Sequence, residues 1–356
     1  MEIKVPTLII DQKKAGSNID RMLKKAKNGG AIFRPHFKTH QLGDIGKLFK
    51  QRNVKKITVS SVSMASYFVE HGWNNITIAF PINLREIEDI NQLASKVKLN
   101  VLVESLDSAS IMSIKTTQTM GIFIKIDSGY HRTGLLPGDP EIDKILQLLD
   151  SNKLLIFRGF LSHAGNTYTA ESKSEIRSIM EDNKTCLNKL KQKYIDHYPE
   201  IIISYGDTPS CSLADDCTGF DEIRPGNFVY YDVMQYHIGS CSINDIAVAV
   251  ACPVVAVHAS RNELVIYGGA IHLSKEFIAP EKSPRFFGYI VNLTDEGWSN
   301  PIQGAYVSAL SQEHGVIKMK HKDLMQYKPG AIIGVLPIHS CLAANLLRTN
   351  YQLINN

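Results

Sequence analysis

Short apolar runs rich in β-branched residues recur along the first two thirds of the chain, most of them followed by a stretch with helical spacing. The runs are 31–37, 57–62, 76–80, 99–103, 122–127, 155–163, 201–205 and 222–224. They are hydrophobic almost without interruption, as parallel strands are when both faces are buried. Residues 84–95, 141–149 and 173–194 carry the helical spacing between them. About eight such units in succession predict a (β/α)8 barrel. A doubly wound open sheet is the competing topology, but no Gly-x-Gly-x-x-Gly follows the first strand. Upstream, 5–11 predicts a strand with Pro6 at its start or on an edge. Ser17 is expected to cap a helix that runs to Lys27.

After about Asn244 the pattern changes. Residues 247–258, 263–267, 286–293, 306–310 and 331–336 are strand-like, with turn residues such as Gly268-Gly269 and Lys328-Pro329-Gly330 between them and no long helical pattern. The expected fold class is α/β: a barrel domain over 12–243 and a second, β-rich C-terminal domain over 244–356. The sequence leaves open whether the strand within 1–11 joins the second sheet or the first.

Composition narrows the function classes. Hydrophobic residues make up 44% of the 356 positions and charged ones 21%, as in ordinary globular proteins. The net charge of +4 is small for this length and argues against a nucleic-acid partner. The most apolar run, 247–257, is broken by Pro253 and is too short to span a bilayer, so no membrane segment is expected. Met1-Glu2-Ile3-Lys4 offers no long apolar stretch, so no signal peptide is expected. The six cysteines form no Cys-x-x-Cys pair, which fits reduced thiols in a cytoplasm.

Barrel active sites lie at the C-terminal ends of the strands. The first strand ends in Arg34-Pro35-His36-Phe37-Lys38-Thr39-His40. Partial burial and the cations Arg34 and His36 would lower the pKa of Lys38 and give the neutral amine that Schiff-base chemistry needs. Taken alone, the segment reads equally well as a basic loop gripping phosphate. The other strand ends add Asp127 to Arg132, His163 to Tyr168, Tyr205-Gly206-Asp207-Thr208 and Arg224-Pro225-Gly226-Asn227. The last two strand ends of such barrels commonly hold phosphate. Thr208, Gly226 and Asn227 offer backbone N–H groups and a hydroxyl there, provided that Asp207 points away. A lysine and phosphate turns on one rim suggest a phosphorylated carbonyl cofactor, and pyridoxal 5'-phosphate fits. Tyr168 is a candidate contact to cofactor or substrate. In the second domain, His339 and Cys341 would project from one face of an extended segment as a zinc-type donor pair. A buried cysteine beside a satisfied histidine is the plain alternative.

These motifs resemble the D-serine dehydratase and D-threonine aldolase family, fold-type III pyridoxal phosphate enzymes related to alanine racemase. The likeness rests on 34–40, on Lys125-Ile-Asp127-Ser-Gly129-Tyr-His-Arg132-Thr-Gly134, on Arg224-Pro225-Gly226 followed by Tyr231-Asp232, on Ser311-Gln312-Glu313-His314-Gly315 and on Pro337-Ile-His339-Ser-Cys341. The resemblance implies a barrel of alanine-racemase type, a cytoplasmic homodimer and Lys38 as the residue that bonds the cofactor and then serves as base. It implies Arg224 near the pyridine nitrogen and a metal on His339 and Cys341. Relatives resembling D-serine dehydratase carry Cys at the second position and D-threonine aldolases typically Asp. A thiolate favours Zn2+. The expected activity is therefore a zinc-dependent dehydratase converting D-serine, or a similar D-3-hydroxyamino acid, to a 2-oxo acid and ammonia. The active site is expected where the two domains meet. A retro-aldol lyase of the D-threonine aldolase type is the nearest alternative. An amino-acid racemase and a non-enzymatic pyridoxal phosphate carrier are further ones.

Overall fold

The structure, a computed structural model, describes residues 2–281 and 284–355. Lys282, Ser283 and Asn356, which fall inside the predicted span 244–356, and Met1 lie outside the described residues. Contacts gather the chain into two compact units, one of Asp20–Lys38 and Gly46–Gly226, the other of Met1–Ile19, Thr39–Ile45 and Asn227–Asn356.

The chain opens with β1 (Thr7–Asp11), whose partners come from the C-terminal part. Helix Gln12–Asn28 follows at once. Asp11 caps it, its Oδ1 accepting from Lys14 N at 2.9 Å. Ser17, expected as the cap, instead lies within the helix. The carboxylate of Asp11 satisfies an orphan first-turn N–H, so the helix starts earlier than its apolar spacing implied.

Eight parallel strands come next: β2 (Ile32–Phe33), β3 (Ile57–Val59), β4 (Asn75–Pro81), β5 (Lys98–Val103), β6 (Met120–Lys125), β7 (Leu155–Leu161), β8 (Ile202–Tyr205) and β9 (Glu222–Ile223). The sheet order is β2-β9-β8-β7-β6-β5-β4-β3, and its two ends curl round to meet. Past β2, Phe37 N donates to Thr58 O at 2.8 Å and Thr58 N to Pro35 O at 2.9 Å. All eight predicted strands form, in the predicted order. Side-chain caps open the helices after several of them: Ser61, Ser105 and Ser172 accept from Met64 N, Ser108 N and Glu175 N. Each such cap is worth about 1 kcal/mol.

A buried, paired arginine links strands on both sides of the closure. Arg34 Nε donates to Glu222 Oε2 at 2.6 Å, with the two side chains 4% and 0% exposed. The same guanidinium reaches Asn75 Oδ1 on β4 at 2.8 Å. Its backbone carbonyl accepts from Thr58 Oγ1 at 2.9 Å. One side chain thereby links β2, β9 and β4.

In the second unit, β10 (Val248–His258) is the long spine. It pairs with β11 (Glu263–Tyr267) past a bulge at Val254–Ala256, and with β17 (Ile332–Pro337) before it. Between them lie β12 (Gly288–Val291), the two-stranded β13 (Leu293–Thr294) and β14 (Gly297–Trp298), β15 (Tyr306–Leu310) and β16 (His314–Lys318). The order β10-β17-β12-β15-β16-β11 closes on β10 as an antiparallel barrel. β1 pairs antiparallel with β10 and parallel with β18 (Tyr351–Ile354), which answers where the N-terminal strand belongs. Two short helices, Val233–Ile238 and Ser340–Leu346, and the strands β16 and β18 had no clear periodicity in the sequence. One unit thus carries a curled parallel sheet and the other an antiparallel barrel. No helix among the described residues is long and apolar enough to cross a membrane.

Glu222→Gln should lower stability by roughly 3–5 kcal/mol, because it leaves the Arg34 guanidinium buried without its carboxylate. The urea unfolding midpoint of the variant against the parent measures this, and an unchanged midpoint would deny the pair its closing role.

Candidate active site

The segment after β2 alternates between anchored and outward side chains. Phe37 is fully buried among Phe49, Phe68 and Trp73, with ring centroids 4.9 to 5.0 Å away. Thr39 and His40 are also fully buried. Lys38 between them is exposed, which differs from the partial burial expected of it. The expected cationic neighbours are committed elsewhere. Arg34 is paired with Glu222, and His36 is buried with its Nδ1 accepting from Lys38 N at 3.4 Å. The structure therefore holds Lys38 through rigid neighbours rather than by burying it.

The ends of β7 and β8 gather the next group. His163 Nδ1 bonds Gly206 O, and burial followed by the charge of Lys38 pushes its pKa down to about 3. The imidazole is therefore neutral and lies within electrostatic reach of Lys38. Tyr168 comes to Thr208, its hydroxyl accepting from Thr208 N at 3.3 Å. Asp207 points away from this turn. Its Oδ1 accepts from Ser210 N at 2.7 Å and from Thr167 Oγ1 at 3.0 Å, so it caps the helix Thr208–Leu213. Burial raises its pKa, which further weakens it as a repellent charge. Gly206 is required for packing, since a Cβ there would lie 2.8 Å from the backbone of Arg224.

Arg224, past the end of β9, is 4% exposed. Its Nε donates to Ser204 Oγ at 2.7 Å, and the guanidinium also reaches Ser162 O. Burial lowers its pKa to about 10, so it remains a cation at neutral pH. The adjoining turn runs beside the Lys38 segment, with His36 N donating to Pro225 O at 2.9 Å. Gly226 is buried at the end of this unit. Lys38, Tyr168, Thr208 and Arg224 thus lie on one strand-end rim. They offer a primary amine, two hydroxyls and a guanidinium, a set that fits a phosphorylated aldehyde such as pyridoxal 5'-phosphate.

His339 and Cys341 meet by a route other than the expected one. β17 stops at Pro337, and His339 caps the helix Ser340–Leu346. Cys341 therefore sits in a first helical turn, not on an extended strand. The two side chains are still hydrogen bonded and half-buried, with Ser340 fully buried between them. Burial acts to lower the pKa of His339. The hydrogen bond and charge of Cys341, with Asp232 further off, outweigh it and bring the value to about 9. The N/S donor set fits zinc. Among the described residues no group of three His, Cys, Asp or Glu side chains is placed to hold a metal.

Asn227 belongs with this pair and not with the phosphate turn alone. Its Nδ2 reaches Asp232 Oδ2 at 2.6 Å, Ser340 Oγ at 3.1 Å and Cys341 Sγ at 3.5 Å. Thr39 Oγ1 lies 3.2 Å from the same sulfur.

Lys125 was not singled out from the sequence except as part of a motif. It ends β6, is 6% exposed and donates from Nζ to Ile126 O at 2.9 Å. Burial first, and the charge of Arg224 second, lower its pKa to about 7. The available signal was a lysine closing the apolar run Met120–Ile126. Its unfolded-state pKa is near 10.5, so the folded protein bears the desolvation penalty in full below about pH 7 and progressively less toward pH 10. Lys125→Met should therefore raise the melting temperature more at pH 6 than at pH 9. Thermal scans at the two pH values measure this, and an equal gain would show that the lysine titrates normally.

Comparison with known proteins matches residues 10–233 to the alanine racemase N-terminal domain and 247–353 to a putative serine dehydratase domain. A D-serine dehydratase of Dictyostelium discoideum is 30% identical over 99% of this chain and 94% of its own length. The solved D-threo-3-hydroxyaspartate dehydratase of Delftia sp. HT23 superposes with a TM-score of 0.91 at 23% identity, covering 99% of this chain and 95% of that one. A cysteine-to-alanine mutant of that dehydratase, described as the metal-free form, gives a TM-score of 0.89 at 23% identity over 97% and 93% of the two chains. With both parts matched, and with the likeness to a D-serine dehydratase running nearly end to end, the chain belongs to the alanine racemase-like, fold-type III family of pyridoxal phosphate enzymes, among its D-serine dehydratase-like lyases.

Proposed function

We propose that this enzyme is a pyridoxal phosphate- and zinc-dependent dehydratase of D-serine or a similar D-3-hydroxyamino acid, releasing a 2-oxo acid and ammonia. The observation that carries the reading is the hydrogen-bonded His339–Cys341 pair, a soft donor set in a chain that aligns along its length with a D-serine dehydratase. When bound, pyridoxal phosphate draws electrons from the substrate Cα, and zinc supplies a Lewis acid for the β-hydroxyl.

This chain's own residues have distinct tasks. Lys38 Nζ would hold the cofactor and would serve as the base for the Cα proton. Thr208, with Gly226 and Asn227, would hold the phosphate, and Tyr168 would steady the ring or substrate beside Thr208. Arg224, a buried cation, would face the pyridine nitrogen. His339, through a ring nitrogen, and Cys341 Sγ would bind the metal in their deprotonated forms. Loss of the Cα proton and the β-hydroxyl removes one water, and the released enamine hydrolyses to the 2-oxo acid and ammonia. The same reading makes the enzyme a cytoplasmic homodimer, in keeping with six cysteines that all remain thiols.

Two experiments test the assignments. Borohydride reduction of the purified enzyme should abolish its near-visible band and leave a covalent adduct on Lys38 by mass spectrometry. An adduct on Lys125 or another lysine would overturn the assignment. Chelation should abolish 2-oxo acid release from D-serine while leaving the cofactor band and Cα proton exchange in place, and Cys341→Ala should do the same. Glycine and an aldehyde among the products would make the enzyme an aldolase. Full turnover without metal would remove zinc from the reaction.

A further inference from the structure

We propose that Asp232 is the positioning residue of the His339–Cys341 pair, acting through Asn227 and Ser340, with Thr39 completing the surroundings of the sulfur. The inference rests on the reading of that pair as a metal site. Asp232 is 1% exposed. Its Oδ1 caps the helix Val233–Ile238 by accepting from Gln235 N at 2.9 Å, and an ordinary N-cap would stop there. Its Oδ2 serves distant segments instead. It accepts from Asn227 Nδ2 at 2.6 Å, Ser340 N at 2.9 Å and Ser340 Oγ at 3.2 Å. One carboxylate oxygen thereby fixes the residue between the two ligands and the amide that points at the ligand sulfur. A further backbone bond, Met234 N to Ile338 O at 3.1 Å, ties the same two segments together just before His339.

The arrangement sets both geometry and charge. Cys341 Sγ lies 3.5 Å from the Asn227 amide and 3.2 Å from the Thr39 hydroxyl, so its lone pairs are confined to the remaining directions. A divalent cation held by one thiolate and a neutral imidazole keeps one positive charge. The buried carboxylate of Asp232, one hydrogen bond behind Ser340, attracts it through a medium that screens poorly. Thr39 adds a sequence consequence, because it is covalently next to Lys38. The residue that follows the lysine is held by its hydroxyl to a ligand sulfur.

Asp232→Asn keeps the shape but turns an acceptor into a donor facing other donors. In full-length holoenzyme, competition with a chromophoric chelator should show zinc affinity falling about ten- to hundred-fold, as when groups behind metal ligands are removed elsewhere. With Co2+ in place of zinc, the sulfur-to-cobalt absorption band should shift or weaken, a readout that a loss of stability alone would not give. Thr39→Val should lower zinc affinity by a smaller factor. A folded Asp232→Asn protein that melts earlier yet binds zinc and absorbs with cobalt like the parent would overturn the proposal and leave Asp232 a helix cap. Where Asp232→Asn does not fold, Ser340→Ala takes its place, and unchanged affinity there overturns the proposal equally. The underlying reading has its own control. If the parent binds no zinc, or His339→Ala binds it as tightly, the metal site itself is wrong and the inference falls with it.

Discussion

The barrel depends on a buried run of charges that has to be complete. Arg34 bonds Glu222, Glu222 accepts from Ser204, and Ser204 accepts from Arg224, which reaches Ser162. The run crosses β2, β9, β8 and β7 toward the strand ends where the candidate rim begins. Desolvating each ion costs several kcal/mol, and only full pairing offsets this. The same run sets the electrostatics of the rim. Arg34 pairs with Glu222 directly and Arg224 reaches it through Ser204, while burial and then the charge of Arg224 lower the pKa of Lys125. Closing the sheet and tuning the rim are thus one network.

Lys38 is positioned by its neighbours. Phe37 is locked into an aromatic cluster on one side, and Thr39 and His40 are buried on the other. His40 is held neutral, its pKa pushed by burial to about 3. With both flanks fixed, the backbone at Lys38 has little freedom, although its side chain is exposed. Rigid support from packed residues is what a reacting amine needs if it is to meet Cα in one geometry.

The proposed metal pair follows a similar economy. Two residues in three supply a nitrogen and a sulfur, and a short helix start keeps them together while Ser340 is tied down between them. The tie comes from Asp232, more than a hundred residues away in sequence.

The order of the eight parallel strands was legible because continuous apolar runs have a cause that acts along the chain, burial of both faces. The helix Lys173–Tyr194 was equally plain from its spacing. The donor chemistry of Lys38, Thr208, Arg224, His339 and Cys341 was also readable, since residue type and strand-end position carry it. Partnership was not readable. Arg34 looked like a cation beside the lysine, and only folding brings Glu222 from 188 residues away to claim it. His339 and Cys341 looked extended, because a seven-residue helix is too short to show a period and is fixed by Asp232 capping it from afar. The pKa of Lys125 depends on its burial and on the nearness of Arg224, neither of which is a property of its local sequence. The sequence by itself determined the eight parallel strands in order and the chemical groups that follow them. Tertiary structure decided which charges are spent on holding the fold and which remain for chemistry, because distance and desolvation exist only once the chain has closed on itself.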